Sequence, residues 1–275
     1  MTTRILKASH AEELDLLWYN SIMQTYDPIL DNDSPENKQK YWEVAFGLQA
    51  VDNLKPSSYV RSLAEEHTAG TKSYAEVTEL TRDYYDKHNA NPDEHEADIV
   101  AEAIYDILHD GAFRFDVSTL KSYHYRLFCG LDHAIYHPGD FRTVNLTKKE
   151  PVLGGKSVQY QDYGLIAESL EYDFSEQSKV NYIALSQEGR VASLANFTSH
   201  IWQVHPFYEG NTRTTAVFIE KYLISLGYEI DNEVFRYHSR AFRDALVLAN
   251  YSNIPEGIQA NPLRLIEFFD TILEK

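Results

Sequence analysis

Between Val191 and Tyr228 the chain carries the same pattern twice, and this limits what it can fold into. Apolar residues at Val191, Leu194, Phe197, Ile201 and Val204 step by three or four, the spacing of one helix face. After a polar interval a second helical stretch places Val217, Ile219, Leu223 and Leu226 inward, and Gly227 stops it. Two helices that each bury a stripe need further layers to pack on. Strand-like alternation is confined to a short central stretch. The expectation is an all-α fold with one small β-hairpin.

The rest of the chain agrees with that reading. Pro35 after Ser34 starts a helix over 36–52, and Pro56 forces its end because the residue before a proline avoids the α region. Short helices fit 58–67 and 74–88, and the polar stretch His88-Asn-Ala-Asn-Pro-Asp93 reads as a linker. Helical patterns follow at 94–108 and 116–136. Gly139 opens an irregular region, in which Val144-Asn-Leu-Thr-Lys and Ser157-Val-Gln-Tyr flank Gly154-Gly155 as a hairpin. Helices resume at 163–170 and continue almost to the end. The organisation expected is an N-terminal helical module over 1–90 and a main domain over 91–275.

Charge and composition narrow the function. Twenty-five basic against 42 acidic residues give −17, a field that repels phosphate backbones and argues against sequence-independent nucleic-acid binding. A nucleotide would have to be held by a local pocket of donors and cations. With one cysteine, Cys129, neither a disulfide nor a Cys-based zinc site is expected, and that residue reads as a small core side chain. His133 and His137 share a helix face, but no third ligand has suitable spacing and Pro138 follows at once. The N-terminus shows no apolar signal region and no stretch is long enough to span a bilayer, so a cytoplasmic protein that does not bind membranes is expected.

The bend between the two helices reads His205-Pro-Phe-Tyr-Glu-Gly-Asn-Thr-Arg213. Gly210-Asn211 precedes a helix start, where free N–H groups and the positive dipole end favour an anion. Asn211 offers amide donors, and Arg213 a charged fork suited to phosphate. Glu209 is a hard oxygen ligand of the kind that holds Mg²⁺ beside phosphates. His205, with an ordinary pKa near ~6.5, can accept a proton from a hydroxyl. Base, metal ligand, anion hole and clamp within one bend describe phosphoryl-group transfer.

This stretch resembles the signature of the Fic family, His-x-Phe-x-Asp/Glu-Gly-Asn-x-Arg, with every specified position present. Glu102–Leu108, Leu120–Phe128 and Asp140–Val144 are similar to other parts of the Fic core, so that the likeness covers about 94–275. The resemblance implies a Fic helical core with a hairpin flap at about 144–160 that docks a target protein in extended form. It implies that His205 is the general base and that Glu209 holds Mg²⁺ between the α- and β-phosphates of ATP. Gly210, Asn211 and Thr212 would bind the nucleotide and Arg213 the phosphates beyond the scissile bond. The implied activity is adenylyl transfer to a protein hydroxyl, including self-modification. The alternatives are another transfer in the same pocket, such as removal of AMP or phosphorylation, or a catalytically silent module that binds nucleotide or peptide.

Two positions depart from the fullest signature. Thr212 stands where Gly is common, and Ala216 where a second arginine would hold the terminal phosphate. Weaker ATP use, a different seating of the nucleotide and a different donor are all compatible with that loss. The N-terminal stretch resembles the VbhA-type antitoxin modules of bacterial toxin–antitoxin pairs, in which a helix presents Ser/Thr-x-x-x-Glu-Gly/Asn to the second arginine. Here the matching residues are Leu48-Gln-Ala-Val-Asp52-Asn53. With Asp52 shortened and Ala216 in place of the arginine, the expectation is an intramolecular module that docks without inhibiting through that salt bridge. A literal Ser252-x-x-x-Glu256-Gly257 contains Pro255 and reads as a loop.

Overall fold

The computed structural model describes residues 33–88, 91–228 and 232–273. Pro35–Lys275 forms one compact unit. The helices, in chain order, are α1 (Pro35–Leu48), α2 (Ser58–Thr68), α3 (Tyr74–Lys87), α4 (Pro92–His109), α5 (Val117–Phe128), α6 (His133–Tyr136), α7 (Ile166–Ser178), α8 (Gln187–Val204), α9 (Asn211–Ser225), α10 (Asn232–Asn250) and α11 (Leu263–Leu273). A 3₁₀ turn, Gln49–Asp52, continues directly from α1. No described helix is long and apolar enough to cross a membrane. The fold is all-α.

Local chemistry sets most helix starts. Ser57, Asp116 and Ser186 each accept a hydrogen bond from the N–H three residues on, capping α2, α5 and α8. Ser73 and Glu76 form a reciprocal capping box on α3, and Asn91 with Pro92 begins α4.

Helix α9 lies at the centre and packs against α4, α5 and α8, while α1 packs on α4 and α10. Residues on both sides of residue 90 therefore share one core. Where α1 to α4 meet, Trp42 stacks on Tyr105 at 4.6 Å and its indole N–H donates to His67 Nδ1 at 3.1 Å. On the far side of α9, Phe115, Phe174, Phe197 and Phe218 form a second aromatic cluster. Each such side chain taken out of water stabilises the fold by about 1.5–3 kcal/mol.

Three expectations are corrected. The helical region expected over 116–136 is two helices: α5 stops at Phe128 and Asp132 caps α6 as a fresh start. Cys129, expected in the core, is exposed at the end of α5. The expected hairpin flap has no strand ladder. Among the described residues the one β pairing is an isolated bridge between Asn253 and Ile258. In 144–160 the Lys148 N–H donates to Ser157 Oγ, the Glu150 N–H to Lys156 O and the Gly155 N–H to Glu150 O, around a 3₁₀ turn at Pro151–Leu153. Pro151 has no N–H for a ladder, and the buried Glu150 side chain turns inward onto Arg243, so the chain kinks there.

Candidate active site

Helix α8 ends at Val204, and His205 takes the left-handed conformation, φ 49°, that reverses the chain. For a side chain larger than glycine this costs of order 1–3 kcal/mol and has to be held by its surroundings. Arg142, which is 1% exposed, does so: Nε donates to His205 O at 2.7 Å and its own N–H to Pro206 O at 2.8 Å. The same guanidinium donates to Val144 O and Gln161 O, at 2.7 and 2.5 Å.

The bend beyond is braced from inside. Phe207 stacks on His124, ring centroids 3.7 Å apart and planes 4° from parallel. His124 Nδ1 accepts the Gly139 N–H at 2.9 Å, which leaves Nε2–H to donate to Glu209 O at 3.1 Å. Burial, followed in effect by the opposing Glu209 carbonyl bond and by Arg213, pushes its pKa down to about 4. Gly210 has φ 74°, and a Cβ there would stand 2.1 Å from the Phe128 ring. Only glycine fits both the conformation and the space.

The remaining signature residues divide. The side chain of Asn211 closes the bend: it accepts the Phe207 N–H at 2.9 Å and donates one amide N–H to Phe207 O at 2.8 Å. Thr212 Oγ1 accepts the buried Trp202 indole N–H at 3.0 Å. No side chain caps α9, so its first-turn backbone N–H groups remain the donors an anion would meet. Glu209 is 47% exposed and sits 3.5 Å from Lys148 Nζ. Among the described residues no group of three or more His, Cys, Asp or Glu is placed to hold a metal. A single exposed carboxylate beside an anion site does fit a Mg²⁺ whose other ligands come from phosphate and water.

Arg213 is 2% exposed and is held on several sides. Nη2 pairs with Glu96 at 2.6 Å, Nη1 donates to Gln49 Oε1 at 3.3 Å, and the fork lies over the Phe128 ring. Its Nε stands 2.9 Å from Asp52 Oδ2, an ion pair whose angle falls outside hydrogen-bond geometry. Asp52 also accepts from Arg243 Nη1 at 2.5 Å. Burial alone would raise the Asp52 carboxyl, but Arg213, Lys148 and Arg243 outweigh it and hold it below the usual range. The later position of the signature holds Ala216 and offers Asp52 no arginine; Asp52 pairs instead with Arg213 and Arg243, which the sequence did not announce.

A cavity of about 440 Å³ opens here, lined among others by Asp52, Glu96, Lys148, Glu209, Arg213 and Arg243. His205 is not on its wall. Its imidazole, 6% exposed, lies between Tyr160, stacked at 3.9 Å, and the edge of Trp202 at 5.7 Å. Nδ1 is buried without a hydrogen-bond partner. Burial first, then the positive charges of Lys148, Arg142 and Arg243, pushes the imidazole pKa down to about 3, so the ring is neutral. The structure thus brings Glu209 and Arg213 onto one cavity, buries Asn211 and Thr212 as braces, and sets His205 behind Tyr160. Arg243, Glu96, Glu150 and His124 escaped the sequence reading. Only His124 gave a signal, as a histidine among Leu120, Leu127 and Phe128.

Comparison with known proteins identifies the domain. A family model described as the Fic/DOC family matches residues 114–223. No curated protein matches the chain. Similar solved structures include a Fic family protein from Desulfovibrio desulfuricans G20, 12% identical, covering 98% of this chain and 74% of that one at a TM-score of 0.55. The N-terminal FIC domain of Bep8 from Bartonella sp. 1-1C is 21% identical and covers 68% of this chain and 88% of that one, with a TM-score of 0.51. BepC from Bartonella tribocorum, solved with bound AMPPNP, is 18% identical and covers 65% and 84%, with a TM-score of 0.50. At these identities the likeness is one of fold. The matched stretch contains the whole run from His205 to Arg213, and residues 114–223 of this chain are a domain of the Fic/DOC family.

Proposed function

We propose that the chain is a protein adenylyltransferase that moves AMP from ATP onto a protein hydroxyl, its own included. The uncapped start of α9, with Glu209 and Arg213 on one cavity, carries this reading, and His205 becomes an effective base once Tyr160 moves and the burial that holds its pKa down is relieved. The target hydroxyl oxygen attacks the α-phosphorus, the bond from that phosphorus to the bridging oxygen breaks, and pyrophosphate leaves. The hydroxyl proton passes to His205. The α9 N–H groups and Arg213 stabilise the phosphate charge, with Gly210 giving the backbone its close approach. Glu209 would hold the Mg²⁺, which supplies neutralisation of the phosphate oxygens. BepC, of the same fold, was solved with an ATP analogue, which supports a nucleotide ligand.

The segment 144–160 is the proposed docking surface for the target, and Tyr160 within it must move for His205 to meet a hydroxyl. A second reading is favoured by Asp52: its hold on Arg213 describes a closed state, with the N-terminal stretch as an intramolecular inhibitor. Incubation with ATP labelled at the α or the γ position tests the main reading. Label retained from the α position alone is expected. Retention from the γ position alone means phosphorylation instead, and retention of neither with nucleotide bound means a silent module.

A further inference from the structure

Three cations from three separate segments converge on the carboxylate of Asp52. Arg213 Nε of α9 is at 2.9 Å, Arg243 Nη1 of α10 at 2.5 Å, and Lys148 Nζ at 4.0 Å. The two arginine side chains are largely buried, and each has an anchor besides Asp52. Glu96 holds Arg213 at 2.6 Å, while the buried Glu150 and the Val51 carbonyl hold Arg243 at 3.2 and 3.0 Å. Were Asp52 to leave, Glu96 and Glu150 would still hold both guanidinium groups beside the vacated point, where Arg213 Nε and Arg243 Nη1 would be left without their shared carboxylate. One nitrogen from each of two guanidinium groups and an ammonium around one point suit a tetrahedral phosphoryl group, whose several oxygens can each take a donor. The place opens onto the same cavity as Glu209. Ala216 is buried and brings no charge to it.

We propose that Arg243 is a second phosphate-binding residue of this site, sharing with Arg213 and Lys148 the outer phosphoryl group of a nucleoside triphosphate where Asp52 now sits. The proposal rests on the nucleotide reading above. It places a specificity-determining contact on a helix outside the signature and beyond the matched stretch.

Calorimetric titration of the full chain with tripolyphosphate, and separately with ATP, tests it. Asp52→Ala is expected to bind both about tenfold or more tightly than the wild type, since charge-assisted contacts become available. Adding Arg243→Gln together with Glu150→Gln, which removes both charges so that neither is left buried alone, is expected to abolish that gain. If the triple variant binds as tightly as Asp52→Ala, the assignment of Arg243 is wrong while the nucleotide reading stands. If Asp52→Ala gains affinity for neither ligand, the assignment of Arg243 is wrong, and if neither it nor the wild type binds ATP the nucleotide reading falls as well. Should the triple variant fail to fold, Arg243→Lys in the Asp52→Ala background replaces it. Loss of most of the gain is then expected, because an ammonium lacks the fork, and full retention overturns the proposal.

Discussion

Tyr160 lies flat against His205, with ring centroids 3.9 Å apart and planes 18° from parallel. Tyr160 also points its hydroxyl at Glu150 Oε1, 3.4 Å away, so the ring that covers the imidazole is tied to the carboxylate that anchors Arg243. Cover and cation pocket are thereby mechanically connected.

Removing that cover should change the imidazole itself. Burial is the first cause of the low His205 pKa of about 3, so Tyr160→Ala is expected to raise it towards the ordinary ~6.5. Tyr160→Phe keeps the stack and should keep the value low. A pH titration of the His205 ring signals by NMR checks both, and an unmoved value in the alanine variant would show that other groups set the burial.

Gly210→Ala should destabilise the fold by about 2–4 kcal/mol, from the positive φ and the overlap with Phe128 together. Urea unfolding gives the number. A second change, Phe128→Leu, should restore part of the loss by making room, whereas no recovery would place the strain in the backbone alone.

Thr212 is more than a substitute for glycine. Thr212→Gly leaves the buried Trp202 N–H without its acceptor, which should cost about 1–3 kcal/mol. Thr212→Ser keeps an oxygen there and should cost much less. Thermal unfolding of the two variants side by side decides whether the hydroxyl matters.

Glu220, in the middle of α9, is buried with Oε2 unpartnered, and burial pushes its pKa up to about 8 against the opposing pull of Lys221. The folded value lies above the unfolded one of ~4.3, so the folded state holds a proton that the unfolded chain has already released at neutral pH. Its contribution is complete below about pH 4 and declines as pH rises towards the folded value. Glu220→Gln should therefore stabilise the protein little at pH 5 and by about 1–3 kcal/mol at pH 8. Denaturant curves at the two pH values measure the difference, and an equal effect at both would refute the assignment.

Much of the fold was legible because helical periodicity and caps are local. Ser57, Ser73 and Asp116 announce α2, α3 and α5 within a residue or two. The missing hairpin shows the limit. Gly154-Gly155 does turn the chain, but whether the flanks pair depends on Glu150 meeting Arg243, 93 residues away. The bend was legible in composition and less so in division of labour. Asn211 and Arg213 both read as ligands for an anion, yet one closes the loop while the other holds two carboxylates. Residue type fixes what a side chain can bond to; only packing decides which partner is nearest.

The Arg142 guanidinium bonds both Val144 O and Gln161 O, and so ties together the two ends of the intervening loop at the carbonyl of His205. It acts as a drawstring at the loop's neck. The tip of that loop, around Gly154-Gly155, can lengthen or shorten while the neck stays fixed, because the cost of loop closure grows only slowly with length. The tip can therefore vary while Lys148, Glu150 and Tyr160 keep their places against the cavity and His205.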